Sequence, residues 1–297
     1  MHSDAILRER FVAAEMARQD LYFFARWMFK ERRGFQWRRA PHHRLICDAL
    51  MRVYRGECKR LIINIPPRYS KTELSVVMFI AWCLGKAPDA EFIHTSYSAT
   101  LAANNSANVR DLVTHEAYGE IFQGVHLGDE AKAHWTTTAG GVMYATGAAG
   151  TITGFGAGKM RDGFGGAIVI DDPHKADEAR SDKVRQGVID WFQNTLESRK
   201  NSPETPIIVI MQRLHEEDLA GWLLAGGNGE KWEHLCLPAL QADGTALWAW
   251  HGVRVSPRVI LAPETITAAD VADMKEVYQR RGDTPTVALQ KAVKKLL

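Results

Sequence analysis

The stretch Arg60-Leu61-Ile62-Ile63-Asn64-Ile65-Pro66-Pro67-Arg68-Tyr69-Ser70-Lys71-Thr72 carries a change of period that decides how the chain is read. An apolar run of strand length is stopped by two prolines, and residues 71–84 then read as an apolar helix ending before Gly85. Strand, loop and helix follow one another, so the loop lies at a helix N-terminus, where backbone N–H groups can face an anion. A phosphate loop further needs a lysine for the outer phosphates and a hydroxyl for Mg²⁺, and Ser70, Lys71 and Thr72 supply these types. The spelling departs from GxxxxGK[ST], because Ile65 and Ser70 hold the two glycine places. An ordinary strand-to-helix connection is the other reading of the same residues.

Downstream the alternation continues. Strands are expected at residues 92–96, 142–145, 167–170 and 207–210, and helices at 99–116, 182–197 and 216–224. Strands apolar on both faces, interleaved with helices, imply a mostly parallel sheet covered on both sides. In such a sheet ligands collect beyond the C-terminal strand ends, so the loops that follow the apolar runs hold the chemistry.

The run Ala167-Ile168-Val169-Ile170 delivers Asp171-Asp172-Pro173. Two acidic residues at a buried strand end suit an ATPase, one carboxylate orienting Mg²⁺ and the other the attacking water. An Asp-Asp-Pro turn is the plain alternative. The next strand exits into Gln212-Arg213-Leu214-His215-Glu216-Glu217-Asp218-Leu219, which is no zinc HExxH because Leu219 holds the second histidine's place. The polar cluster at this strand end can sense a γ-phosphate or connect hydrolysis to movement; residues 216–218 can equally be just an acidic first helical turn, favourable to the helix dipole. Gly154-Phe155-Gly156-Ala157-Gly158-Lys159-Met160 looks more phosphate-like than residues 66–72, but Thr153 replaces the first glycine, Met160 lacks a hydroxyl and no apolar strand precedes it. A glycine loop contacting a neighbour or a polymer is the expectation for that segment.

Upstream, residues 4–55 read as helices broken at Gly34 and Pro41. The first sixty residues hold 14 Lys/Arg against 7 Asp/Glu, although the whole chain of 297 residues is only +2. That excess is either a solvated helical surface or one that faces phosphate or an acidic partner. With 46% hydrophobic and 24% charged residues and no low-complexity tract, the chain is expected to be globular rather than disordered or fibrous. The cysteines Cys47, Cys58, Cys83 and Cys236 form no CxxC pair, which gives a zinc ribbon or dithiol motif no local support and fits a reducing compartment. No signal peptide or membrane span is read, and no membrane partner is expected.

Taken together, Ala40-Pro41-His42-His43, Pro66-Pro67-Arg68 with Lys71-Thr72, Ser96-Tyr97-Ser98, Gly150-Thr151-Ile152-Thr153-Gly154, Ile170-Asp171-Asp172-Pro173 and Gln212-Arg213-Leu214-His215 with Asp218-Leu219 give a chain that resembles the large terminase subunit of tailed bacteriophages. That family packages DNA into a procapsid with an ATP-driven motor. The resemblance implies an α/β fold of the P-loop NTPase (RecA/ASCE-like) type, with a mostly parallel sheet flanked by helices. Residues 1–59 would be a helical lead-in carrying adenine-side residues, 60–241 the ATPase core, and 242–297 a small helical subdomain holding helices at 268–281 and 286–297.

By resemblance Pro66, Pro67, Arg68, Tyr69, Ser70, Lys71 and Thr72 form the Walker A loop, Asp171 and Asp172 the Walker B pair, and residues 212–215 the coupling motif. The expected roles are Lys71 on the β- and γ-phosphates of ATP, Thr72 and Asp171 on Mg²⁺, Asp172 on the attacking water and Arg68 on the γ-phosphate. Glu216 or Glu217 would be the base if Asp172 is not. Trp37, His42 and His43 would lie near the adenine, with a packed core aromatic the alternative for Trp37. Arg161 and Arg199 are candidates for a finger reaching a neighbour's nucleotide, against an ordinary surface role.

Two departures from the family pattern stand out, Ser70 where many members have glycine and Asp172 where many have glutamate. Family members continue into an RNase H-like nuclease domain, for which the residues after Ala242 offer no metal cluster, so the ATPase portion of a two-domain protein or a naturally short relative is expected, without nuclease activity. Implied partners are double-stranded DNA, the portal protein, the small terminase subunit and further copies in a ring, in the cytoplasm of an infected bacterial host. A helicase-like motor is the enzymatic rival, disfavoured by the single set of Walker residues. A non-catalytic module binding DNA or portal through the basic lead-in is the rival of another class.

Overall fold

The computed structural model describes residues 2–238. The subdomain expected at 242–297, with its two helices, lies outside them. The lead-in forms α1 (His2–Gln19), α2 (Leu21–Arg33) and α3 (Pro41–Tyr54). Gly34 ends α2 with φ 75° and Pro41 opens α3, as the sequence reads, and a further break not expected there falls at Asp20, which caps α2 by accepting the Phe23 N–H.

The sheet contains β1 (Arg60–Asn64), β2 (Glu91–Ser96), β3 (Leu127–Glu130), β4 (His134–Thr137), β5 (Val142–Gly147), β6 (Gly166–Asp171), β7 (Ile207–Met211) and β8 (Glu233–Cys236). Their order is β3-β4-β5-β2-β6-β7-β1-β8. All pairs from β5 to β8 are parallel, and β3 and β4 are antiparallel additions at one edge. Alternation along β1 sends Leu61 and Ile63 into one apolar cluster and Ile62 into the other, and β6 and β7 divide in the same way. One face is covered by the lead-in helices together with α4 (Phe79–Lys86) and α5 (Ala99–Val113), the other by α7 (Asp182–Trp191) and α8 (Leu219–Leu224). The lead-in therefore shares one core with the sheet.

Several boundaries differ from expectation. The helix expected at 71–84 opens as a π turn, Glu73–Met78, before α4. The helix expected at 99–116 is α5 followed by a separate α6 (Glu116–Ile121), since His115 caps a new turn. α8 starts at Leu219 rather than 216, because the Asp218 carboxylate is committed to capping it and leaves 216–217 in a turn. β3, β4 and β8 were not expected; they are four-residue strands with half-exposed faces, too short and too polar to show a period.

Candidate active site

Because β2, β6, β7 and β1 run parallel, their C-terminal ends present residues 97–98, 172–174, 212–218 and 65–72 along one edge. β7 lies between β1 and β6, so the lysine loop and the aspartate pair face each other across its exit. The Thr72 hydroxyl donates to Asp171 Oδ2 at 2.7 Å, and Lys71 Nζ lies 2.6 Å from Asp172 Oδ2. Residues 99 and 101 positions apart in the chain are thus joined by two short polar contacts. Lys71 is only 7% exposed. Its charge is buried against a carboxylate.

The Asp172 carboxylate is shared. Its Oδ1 accepts the Gln212 backbone N–H at 3.1 Å while Oδ2 meets Lys71, and its carbonyl accepts the Tyr97 N–H at 3.0 Å. One residue so contacts the loops after β1, β2 and β7. Its backbone is left-handed, with φ 44°, as are Arg68 at 69° and Ser70 at 61°. Each such non-glycine residue costs about 1–2 kcal/mol, and strain of this kind gathers where geometry serves a site.

Asp171 ends a fully buried strand and is itself 2% exposed. Burial pushes its carboxyl up to about 7; the neighbouring Asp172 charge adds to that, and Lys71 and the Thr72 hydrogen bond oppose it. Its Oδ1 is buried with no hydrogen-bond partner among the described residues. Ser96 is its register neighbour on β2, and the Ser96 hydroxyl is likewise without a partner there.

Around this centre, Pro67 and Arg68 are exposed, Tyr69, Ser70 and Gln212 half-buried. Arg68 makes no hydrogen bond or ion pair among the described residues, which leaves its guanidinium free at the loop. Trp37 and His43 are buried in a series of rings: Phe29 to Trp37 at 5.5 Å, Trp37 to His43 at 4.2 Å, His43 to His42 at 4.2 Å and His42 to Tyr69 at 5.5 Å. Burial lowers the imidazoles, His42 to about 4 and His43 well below the ordinary value.

The segment after β7 is organised by Asp218, which is fully buried and stands in the sequence both in an acidic run and among the residues that carry the resemblance. Its carboxylate accepts the N–H groups of Leu214, His215 and Gly221 and pairs with Arg213 at 3.0 Å. His174, which no sequence signal marks, accepts the Leu219 N–H at 2.9 Å and ties the aspartate strand to α8. Glu217 pairs with Arg185 at 3.0 Å, and Glu216 is exposed.

The glycine segment lies at the opposite end of the sheet. Gly158 donates its N–H to the carbonyl of Glu91, the first residue of β2, and Lys159 pairs with the Glu91 carboxylate at 2.5 Å. Arg161 pairs with Asp89 at 2.6 Å beside the start of β6, and Arg199 donates to the Thr195 carbonyl at 3.3 Å. The basic excess of the lead-in is met largely within the chain: Arg10 pairs with Glu120, Arg32 with Glu73, Arg44 with Asp20 and Asp48, Arg52 with Glu233, Lys59 with Glu204 and Arg60 with Glu230. Among the described residues no group of three or more His, Cys, Asp or Glu is placed to hold a metal by itself, and no helix is long and apolar enough to cross a membrane.

No family model matches the chain, and no curated protein matches it. Among solved structures it is similar to the large terminase from a thermophilic bacteriophage in complex with ATP-gamma-S, with a TM-score of 0.43 and 14% identity over 79% of this chain and 49% of that one. The chain thus spans about half the length of that structure.

Proposed function

We propose that the chain is an ATP-hydrolysing motor domain of the phage terminase large-subunit type, which drives double-stranded DNA into a procapsid. The observation that carries the reading is the pairing of Lys71 with Asp172 and of Thr72 with Asp171 across the exit of β7. The proposed organisation is a lead-in over 1–59, a core over 60–241 and a subdomain over 242–297. Portal protein, small terminase subunit and neighbouring copies in a ring are the proposed partners.

The residues at hand fit Mg²⁺. The Thr72 hydroxyl and the Asp171 carboxylate are hard oxygen donors, and the partnerless buried Oδ1 of Asp171 is explained by a cation. Mg²⁺ held there would neutralise charge developing on the β- and γ-phosphate oxygens. The chain's own groups do the rest. Lys71, neutralised by Asp172 in the free site, turns its ammonium to the outer phosphates. Asp172 Oδ2 is then open to accept a hydrogen bond from the attacking water, while Oδ1 stays on the Gln212 N–H and keeps the carboxylate oriented. The left-handed backbone at Asp172 answers the missing methylene relative to glutamate, since the short side chain already reaches the lysine. Arg68, free at the loop, is placed to meet the γ-phosphate.

Hydrolysis of Mg·ATP by the purified chain tests the reading. Asp172→Asn should lower turnover by about 10²- to 10⁴-fold, the usual share of a water-orienting group, with nucleotide binding kept. Asp171→Asn should instead raise the Mg²⁺ concentration needed for half-maximal rate. A folded chain without Mg²⁺-dependent hydrolysis, or an Asp172→Asn protein that turns over normally, overturns it.

A further inference from the structure

We propose that Ser96 is a positioning residue for Mg²⁺: its hydroxyl and Asp171 Oδ1, side by side on neighbouring strands, together hydrogen-bond the water shell of the cation. This rests on the ATPase reading and adds a residue that the roles assigned to that site do not include.

The placement follows from the sheet. Ser96 is the last residue of β2 and Asp171 the last of β6, and the two are partners in parallel register. Register partners on adjacent strands lie about 4.8 Å apart and send their side chains to the same face. That face is the one covered by the larger apolar cluster, to which Phe92 of β2 and Val169 of β6 belong at the same alternation. On its other side Ser96 is in register with Gly147, which has no side chain. The polar side chain beside Ser96 across the strands is therefore that of Asp171.

Both side chains are buried, Ser96 fully and Asp171 nearly so. The Ser96 carbonyl is committed to the Ala148 N–H at 2.6 Å, and Asp171 Oδ2 to the Thr72 hydroxyl. What remains is the Ser96 hydroxyl and Asp171 Oδ1, neither with a hydrogen-bond partner among the described residues. Buried polar groups are as a rule paired, so two such atoms in register call for a ligand that serves both. A carboxylate oxygen only accepts, whereas a hydroxyl donates or accepts. Mg²⁺ held by one or two carboxylates keeps several of its waters, and such a water carries one proton for each of the two oxygens. Thr95 gives an internal control. Its hydroxyl is also buried without a partner, but it stands on the opposite face, in register with Ile170 and Thr146 and with no carboxylate beside it there.

Mn²⁺ takes the same kind of oxygen ligands as Mg²⁺, and its electron paramagnetic resonance reads binding without turnover. In the full chain saturated with a non-hydrolysable ATP analogue, Ser96→Ala should weaken Mn²⁺ binding about tenfold, the lower end of what the outer partners of metal ligands contribute. The substitution removes a hydroxyl that has no partner in the metal-free chain, so the melting midpoint without metal should hold or rise. At saturating Mg²⁺, kcat should change by less than about twofold. Thr95→Val should bind Mn²⁺ as the wild type does. Because Ser96 acts jointly with Asp171, adding Ser96→Ala to Asp171→Asn should cost much less Mn²⁺ affinity than it does alone. The proposal is overturned by undiminished Mn²⁺ affinity in folded Ser96→Ala, by an equal loss in Thr95→Val, by full additivity with Asp171→Asn, or by a lowered midpoint in the metal-free variant, which gives the hydroxyl to the fold. In each of these cases Mg·ATP hydrolysis by the wild-type chain leaves the ATPase reading standing. A wild-type chain that neither binds nor hydrolyses Mg·ATP removes both together.

Discussion

Two loops of this chain carry a lysine after a stretch that invites a phosphate reading, Lys71 after residues 66–70 and Lys159 after residues 154–158, and the sheet places them at opposite ends of its strands. The first has no glycine and two contacts that cross the sheet, Thr72 to Asp171 and Lys71 to Asp172, with Asp172 held in turn by the Gln212 N–H. The second has glycines at positive φ, including Gly154 at 75° and Gly158 at 83°, and its cations are spent on Glu91 and Asp89. Glycine relieves backbone strain where a loop only has to turn. At the candidate site the strain is retained in Arg68, Ser70 and Asp172, on the side where Lys71 and Asp171 are buried. Among the described residues three of the four left-handed non-glycine residues lie at the site, and the fourth, Ala149 at φ 69°, lies in the loop after β5.

The contrast can be broken most severely at Lys71. Lys71→Ala should reduce hydrolysis at least about 10³-fold, since the variant loses its phosphate-facing cation. It also leaves Asp172 Oδ2 unpaired beside Asp171, so the variant should hold Mg²⁺ or melt differently from wild type even without nucleotide. Equal rates in a folded Lys71→Ala protein would move the chemistry away from this loop.

The opposite end is tested with Gly166→Ala. Gly166 has φ 130° and an added Cβ would overlap the Glu91 carbonyl oxygen, so strand β6 cannot start as it does. A loss of about 2–3 kcal/mol is expected, within the range of substitutions that strain a special backbone. KM for Mg·ATP measured below the melting range should stay within about twofold of wild type. A selective loss of nucleotide affinity with stability intact would give the glycine end a part in binding.

The finest test is Ser70→Gly, which removes a Cβ from a left-handed position. Relief of strain and the added freedom of the unfolded chain oppose each other, so stability should shift by less than about 1 kcal/mol. Hydrolysis should persist within a few-fold. A much larger loss would mean that the Ser70 side chain acts on the nucleotide.

Some of this is legible in the sequence. The apolar runs at residues 61–65, 167–170 and 207–210 are buried strands because each is apolar on both faces, which only the middle of a covered sheet satisfies. Gly34 and Pro41 break helices by their own backbone chemistry. The short strands β3, β4 and β8 escaped because pairing to neighbours, rather than local pattern, holds four half-exposed residues extended. His174 escaped for a related reason: a histidine acceptor acts on a backbone N–H that any residue offers.

By itself the sequence determined which residue types stand at the strand ends, because hydrophobic period and turn chemistry are local properties. It thereby specified a lysine and hydroxyl after one strand and two carboxylates after another. Only the tertiary structure decided that β7 separates those strands, that Lys71 is buried on Asp172 rather than open, and that the glycine segment faces away from the site. Strand order and burial depend on contacts between residues far apart in the chain, and no local pattern encodes which distant charge a buried lysine will meet.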